Sequence, residues 1–311
     1  MQIPWRGAPT SALRLQVFIS RQDMKLAKLG LKALHRRNSN SKTPVLAAGG
    51  PVVSMTTHGK RIHTVYLALE SIAAGTLLPS RLILWLDDAK AFGTRPESLL
   101  RLEERGLEVR LTENYGPHTK YYPYLLTENC FESPLVIADD DVIYNRWWLA
   151  GLASAYDQNS SVVNCFRAHF VELAGGTIRP YLDWTHCKSI TPSYRNFATG
   201  VSGCIYPPRF LGILKRAGTE FQHVSPKADD IWLHVNALRS GFKIRQILHR
   251  QLNFPFVPGT QDNGLFLTNA RLAGNDAQIK STYSAKDIDL LISAEHENTA
   301  QSVLAGGYAQ S

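Results

Sequence analysis

From residue 51 onward, apolar and polar positions fall into regular blocks. Pro51–Thr56 is a short β-branched run of strand length, followed by a polar turn from Thr57 to Arg61. Ile62, Val65, Tyr66, Leu69 and Ile72 then recur at spacings of three and four, which predicts one buried face of a helix. Leu82–Leu86 predicts a second strand, ending at Asp87 and Asp88. Pro96 suits the first turn of a short helix through Arg105. Gly106 stops that helix, and Leu107, Val109 and Leu111 alternate as a third strand. Leu135–Ala138 predicts a fourth, and Asn145 can cap a helix bearing Trp147, Trp148, Leu152 and Tyr156. Late in the chain Ile231, Val235 and Leu238 share a helical face that Gly241 can close. Strand and helix in alternation predict an α/β fold, a mostly parallel sheet flanked by helices on both faces.

Charge separates the amino-terminal part from the rest. The 311-residue chain carries a formal net charge of +8, and the first 43 residues hold nine Lys or Arg against the single acid Asp23. The remainder is neutral. Ser11–Arg37 mixes those bases with Leu13, Val17, Phe18, Leu26, Leu29 and Leu34 and lacks proline. This predicts an amphipathic basic helix, lying on an anionic membrane surface at about 1 kcal/mol per basic residue, or packed on the domain with a solvated basic face. Asn38–Lys42 reads as a linker. The expected organisation is a basic arm and linker over 1–44, one domain over 45–285 and a tail over 286–311. No apolar run reaches transmembrane length, and Val17–Ile19 is too short for a signal-peptide core. Four widely spaced cysteines suggest neither a zinc site nor a disulfide framework. The expectation is a cytoplasmic protein, with the arm as a candidate peripheral contact to the inner face of the plasma membrane. Nucleic acid is not an expected partner, because the arm's only aromatics are Trp5 and Phe18.

Candidate chemistry collects where strands end. Asp139, Asp140 and Asp141 follow the fourth strand, at the carboxyl edge where open α/β sheets bind ligands. In extended backbone Asp139 and Asp141 share one side and Asp140 takes the other. Three adjacent carboxylates call for a cation, and Mg2+ or Mn2+ held by one or two carboxylates plus phosphate oxygens would serve. A solvated acidic turn would give the same letters. After the first strand, Thr56, Thr57, Gly59, Lys60 and Arg61 can offer hydroxyls, amides and charge to a nucleotide, although neither a P-loop nor a G-x-G-x-x-G is present. Lys120, among Tyr115, His118, Tyr121 and Tyr122, can balance acid or hold a phosphate, or can be a plain surface lysine. Gly200 and Gly203 lie in a strand-like segment open to close approach by another backbone or a ligand. Asp183 beside Trp184 is a sugar-holding pair or a core tryptophan with a surface acid. Asp229 and Asp230 open the late helix. Capping needs one of them, which leaves the other as a candidate general base.

In order, Val53–Arg61, Leu82–Leu86, the Lys120 segment, Ala138–Tyr144, Thr199–Gly203 with Tyr206–Pro208, Ala228–Trp232, Gly259–Gln261 and Gly274–Gln278 resemble bacterial glycosyltransferases of the GT-A fold. The likeness is to family 2 and, more distantly, to exostosin-type domains, and it covers roughly residues 50–285. It implies a metal-dependent transferase that moves a sugar from a nucleotide-sugar donor to a glycan or lipid-linked acceptor, in cell-envelope polysaccharide synthesis. The resemblance further implies that Asp139 faces the nucleoside and that Asp141, with Asp139, holds the metal. Thr56, Thr57, Lys120, Asp140, Gly200 and Gly203 fall on the donor side, and Asp183, Trp184 and Trp232 on the acceptor side. Asp230, with Asp229, takes the catalytic acid position. Asn275 and Asp276 match a late motif to which the sequence assigns no role. Two rival readings are a metal-dependent nuclease or nucleotidyltransferase, disfavoured by the neutral domain, and an inactive carbohydrate-binding scaffold.

Overall fold

The computed structural model describes residues 23–260 and 274–294. Four apolar runs become the parallel strands β1 (Val52–Thr56), β2 (Arg81–Leu86), β3 (Leu107–Leu111) and β4 (Leu135–Ile137). β1 is central, with Val52 opposite Arg81 of β2 on one side and Leu135 of β4 on the other, and β3 extends the β2 edge. β1, β2 and β4 are covered on both faces, so their sequences read as near-continuous apolar runs, broken inside β1 by the buried Ser54, whereas the edge strand β3 keeps an alternating pattern.

Eight shorter strands follow in chain order. They are β5 (Val163–Cys165), β6 (Ala168–Phe170), β7 (Leu173–Ala174), β8 (Thr177–Ile178), β9 (Thr185–His186), β10 (Asn196–Ala198), β11 (Cys204–Tyr206) and β12 (Ile244–Gln246). The main sheet has seven strands in the order β12-β5-β11-β4-β1-β2-β3. β11 alone runs antiparallel, wedged between β4 and β5. A second sheet, β10-β6-β9, stands beside it. Strands of two or three residues carry too little periodicity to be read from sequence, and of the eight only β11 falls in a segment that reads as strand-like.

The helices are α1 (Asp23–Asn40), α2 (Val65–Ala73), α3 (Ala89–Gly93), α4 (Glu97–Glu103), α5 (Tyr122–Thr127), α6 (Trp148–Gln158), α7 (Pro208–Ala217), α8 (Phe221–Val224), α9 (Asp229–Arg239) and α10 (Gly274–Thr282). Alternate strand residues feed two cores. Leu82, Leu84 and Val136 meet α2, α4 and α6 on one face, while Ile83, Trp85, Leu135 and Ile137 meet α5, α7 and α9 on the other. The mixed α/β expectation holds, with the antiparallel β11 added.

The arm is not hung on a free linker. Helix α1 continues to Asn40, and Asn38 is buried, donating to Glu70 Oε1 at 3.1 Å and to the Ser98 carbonyl at 2.9 Å. Glu70 is fully buried and paired with Arg105 at 2.5 Å and Arg37 at 3.2 Å. The linker reading fails because Asn38 serves a buried hydrogen-bond network and the helix runs on through the exposed Ser39 and Asn40. Lys32 and Arg36 are exposed on α1, and the part of the arm before residue 23 lies outside the described residues. Among the described residues no helix is long and apolar enough to cross a membrane. Packing also runs past the expected boundary at 285, since residues 285–294 are helical, Leu291 is buried and Asp287 pairs with Arg239 of α9 at 2.8 Å.

Candidate active site

The acid triplet leaves the sheet as a turn at the carboxyl end of β4. The Ala138 amide still donates to the Ser54 carbonyl of β1 at 3.0 Å, and the Asp139 amide donates to the Tyr144 hydroxyl at 2.8 Å. On the far side, the Val257 amide donates to the Asp141 carbonyl at 2.7 Å. The three carboxylates then divide between two cations, and because the backbone turns here it is Asp140 and Asp141, not Asp139 and Asp141, that share one. Asp139 meets Lys120 Nζ at 2.6 Å. Asp140 accepts from Thr57 Oγ1 at 2.5 Å and faces Arg61 Nε at 3.2 Å, while Arg61 Nη1 donates to Asp141 at 3.1 Å. Burial pushes the Asp140 carboxyl up to about 7 against the opposing pull of Arg61 and Thr57. Asp141 is also raised, first by burial and then by the charge of Asp139.

Lys120 ends the tight turn Gly116–Lys120, and its carbonyl accepts from Ser54 Oγ at 2.6 Å. Ser54 in turn accepts from Trp85 Nε1 at 2.9 Å, so the lysine is anchored to the middle of β1 and β2. Its ammonium also lies 3.6 Å from Asp229 Oδ2. Burial works against that charge, but Asp139, Asp229 and Asp230 outweigh it and hold the ammonium protonated well above the usual lysine range. His118 ties the same turn to the approach of α9. One ring nitrogen is 2.8 Å from the Ser225 carbonyl and the other 2.8 Å from the Tyr121 hydroxyl, and the ring stacks on Phe221 at 4.0 Å. Burial pulls the His118 imidazole down to about 4, so at neutral pH it is an uncharged cross-link.

The acid pair opens α9, yet neither carboxylate is spent on capping. Asp230 Oδ1 accepts from the Gly200 amide at 3.0 Å, and Asp229 Oδ2 is buried with no hydrogen-bond partner. A side chain at Gly200 would place its Cβ 3.3 Å from Asp230 Oδ1 and 3.9 Å from Lys120 Nζ, which explains the small residue there. Burial, then the charge of Asp229, pushes the Asp230 carboxyl up to about 8, with Lys120 opposing. The structure therefore gathers Asp139, Lys120, Asp229, Asp230 and Gly200 at one place, with Thr57, Asp140, Asp141 and Arg61 beside them.

Other candidates fall elsewhere. Trp184 and Trp232 are core residues. The indole N–H of Trp184 donates to the Arg179 carbonyl at 2.9 Å, and Trp232 packs near Phe221, so neither face is open to a sugar. Asp183 is exposed and paired with Arg179 at 3.0 Å in the same short turn. Thr56 Oγ1 donates to the Trp85 carbonyl at 3.1 Å and braces β1 to β2. Gly203 serves packing: its φ is +94° and an added Cβ would stand 2.5 Å from Trp148 Nε1. Gly203→Ala is expected to destabilise the protein by about 1–3 kcal/mol in urea unfolding, the usual cost of overpacking. Unfolding at the wild-type midpoint would remove that assignment.

The late motif gains a place. Asp276 Oδ1 accepts from the Tyr181 amide at 2.6 Å, and Gln278 Oε1 accepts from the Lys227 amide at 2.8 Å, so α10 fastens two loops that flank the acid pair. Its neighbour segment 261–273, with Gln261 of the Gly259–Gln261 motif, lies outside the described residues. The sequence placed His118 beside Lys120 but gave it no role, because a lone histidine gives no signal of its partners. Arg61 was visible only as half of a basic pair, with the carboxylates it bridges some eighty positions away.

A divalent ion fits this donor set only in part. Among the described residues no group of three or more His, Cys, Asp or Glu is arranged to ligate a metal. Asp139 and Asp141 are hard oxygen donors whose charges disfavour each other, and each is already met by a lysine or an arginine. Two carboxylates suit Mg2+ or Mn2+ when a phosphate completes the shell.

No family model matches the chain, and no curated protein matches it. Among solved structures, CMP:2-keto-3-deoxy-manno-octonic acid synthetase complexed with CTP is similar at 9% identity and a TM-score of 0.39, over 72% of this chain and 98% of that one.

Proposed function

We propose that this protein is a transferase that binds a nucleotide-sugar donor and moves the sugar to a hydroxyl of a glycan or lipid-linked acceptor. The observation that carries the reading is Lys120, whose ammonium reaches both Asp139 of the triplet and Asp229 of the pair. Two acid groups about ninety positions apart thus meet at the carboxyl edge of the sheet, where a ligand of an open α/β fold belongs.

In this proposal Thr57, Arg61 and the triplet face the nucleoside diphosphate. Asp139 and Asp141 would hold Mg2+ or Mn2+, which when bound neutralises charge on the departing diphosphate. Arg61 and Lys120 supply further positive charge to the same end. Asp230 takes the proton of the acceptor hydroxyl as its oxygen bonds to the anomeric carbon and the bond to the diphosphate breaks. A carboxyl raised to about 8 suits this task, because a base works best with a pKa near the working pH. Gly200 holds that carboxylate through its amide.

The test is a thermal-shift screen of UDP, GDP, CDP and their sugars, with and without Mn2+, followed by product analysis. One nucleoside diphosphate is expected to raise Tm, by roughly 2.7 kcal/mol of stability at 100 times its dissociation constant. Mn2+ alone is expected to shift Tm little, since two carboxylates already paired to Lys120 and Arg61 make half a shell. With Asp141→Asn, the extra shift from Mn2+ in the presence of nucleotide should disappear. Silence toward every nucleotide, or release of pyrophosphate from a nucleoside triphosphate and a sugar, would reject the proposal, the second in favour of a nucleotidyltransferase.

A further inference from the structure

Resting on the transferase reading, we infer that Arg167, with Tyr181 and His169, forms a subsite beside Asp230 for an anionic group on the acceptor sugar. Arg167 is half-buried, and its guanidinium meets only neutral partners, Gln251 Oε1 at 3.2 Å and Thr199 Oγ1 at 3.3 Å. Among the described residues no carboxylate pairs with it, although most half-buried arginines in this chain, such as Arg61, Arg81 and Arg95, have one. A cation withdrawn from water without a counter-charge is costly, and a ligand oxyanion would supply what the protein does not.

The location joins that charge to the reacting centre. Thr199, which holds the Arg167 side chain, is followed directly by Gly200, whose amide holds Asp230. The Thr199 amide also donates to the Arg167 carbonyl at 3.0 Å, so the two segments are locked together. Tyr181 spans the interval. Its hydroxyl is pushed up to about 12 by burial and by the negative charge of Asp230, while Arg167 pulls the other way, so both charges act on one ring. The Tyr181 ring lies 5.6 Å from that of His169, and His169 Nδ1 is buried with no hydrogen-bond partner. The His169 ring also lies 5.2 Å from His186 across the β6–β9 pair. Burial and the neighbouring Arg167 pull His169 down to about 4, leaving Arg167 as the positive charge and the imidazole as a neutral polar edge.

This set replaces the acceptor contacts expected at Trp184, Trp232 and Asp183. It suits a sugar bearing a carboxylate or a phosphate, since a guanidinium pairs with both in a forked, charge-assisted geometry. The backbone turn that presents Tyr181 is fixed by Asp276, so α10 steadies the subsite from behind.

The experiment titrates glucose, glucuronate and glucose 6-phosphate into the full-length protein without nucleotide, and separately measures the thermal shift with UDP and Mn2+. At least one anionic sugar is expected to bind about tenfold or more tightly than glucose. The preferred anion then identifies the source of the charge as a carboxylate or a phosphate. Arg167→Gln should abolish the preference without altering the UDP and Mn2+ shift, and Arg167→Lys, which keeps the charge, should retain part of it. Equal binding of all three sugars, no binding of any, or a preference that survives in Arg167→Gln would overturn the subsite. A preference for the anion in a protein that gives no nucleotide shift would uphold the subsite and remove the transferase reading instead.

Discussion

Asp230→Asn is expected to retain donor binding and to lower turnover by about 10²-fold or more, the usual worth of a positioned base. The substitution keeps size and the oxygen that the Gly200 amide can reach, and removes only the ability to take a proton. In the wild type, activity should rise with pH toward a plateau above about 8, because the carboxyl must first lose its own proton. Stability should move in the opposite direction. Asp230 and Asp140 hold their protons up to about 8 and about 7 in the fold, against about 4 for an unfolded aspartate, so the native state binds more protons between those limits. Folding stability therefore falls as pH rises from about 4 through about 8. Asp230→Asn should flatten part of that slope in urea titrations run across the range. Wild-type turnover in the variant would show that the base lies elsewhere.

Lys120→Met should produce the larger structural effect. Removing the ammonium leaves Asp139 and Asp229 facing each other with no cation between them, and breaking a buried ion pair from one side typically costs about 3–5 kcal/mol. The loss should be fullest below about pH 10, where the lysine would begin to discharge in an unfolded chain, and should shrink as pH rises beyond it, because the fold holds the ammonium protonated well above that range. Adding Asp139→Asn to Lys120→Met should recover part of the stability, since one of the stranded charges is then gone. Nucleotide-dependent thermal shifts should vanish in Lys120→Met. A variant that is as stable as the wild type at pH 7 would mean that the lysine does not bridge the two acid groups.

Much of the scaffold could be read from the chain because its signals are local. β1, β2 and β4 are buried on both faces, and burial on both faces writes a near-continuous apolar run into the sequence. The acidic letters after β4 and at the start of α9 were visible for the same reason, since each is a compact cluster at an element's end. The pairings were a different matter. That Thr57 bonds Asp140 and that Arg61 spans Asp140 and Asp141 depends on β1 and β4 lying side by side, which no local window reports. The letters around Trp184 left a sugar-holding pair and a core tryptophan both open, because an aromatic next to an acid looks alike on a surface and in a core. The core alternative is the one found, with the indole N–H satisfied by the nearby Arg179 carbonyl, and only the resemblance had put it on the acceptor side. Gly203 was ambiguous in the same way, since a glycine spared for a ligand and one spared for a tryptophan are the same letter. Arg167 gave no signal at all, because what distinguishes it is a missing partner.

The clasp around Glu70 changes how a tether would behave. A string lets its cargo tumble, but α1 is an 18-residue rod, about 27 Å long at 1.5 Å per residue, bolted at its carboxyl end by a sealed acid that Arg105, Arg37 and Asn38 all grip. Whatever the outer end of that rod rests on would therefore set the tilt of the whole sheet, and with it the direction in which the edge bearing Lys120 and the two acid groups faces.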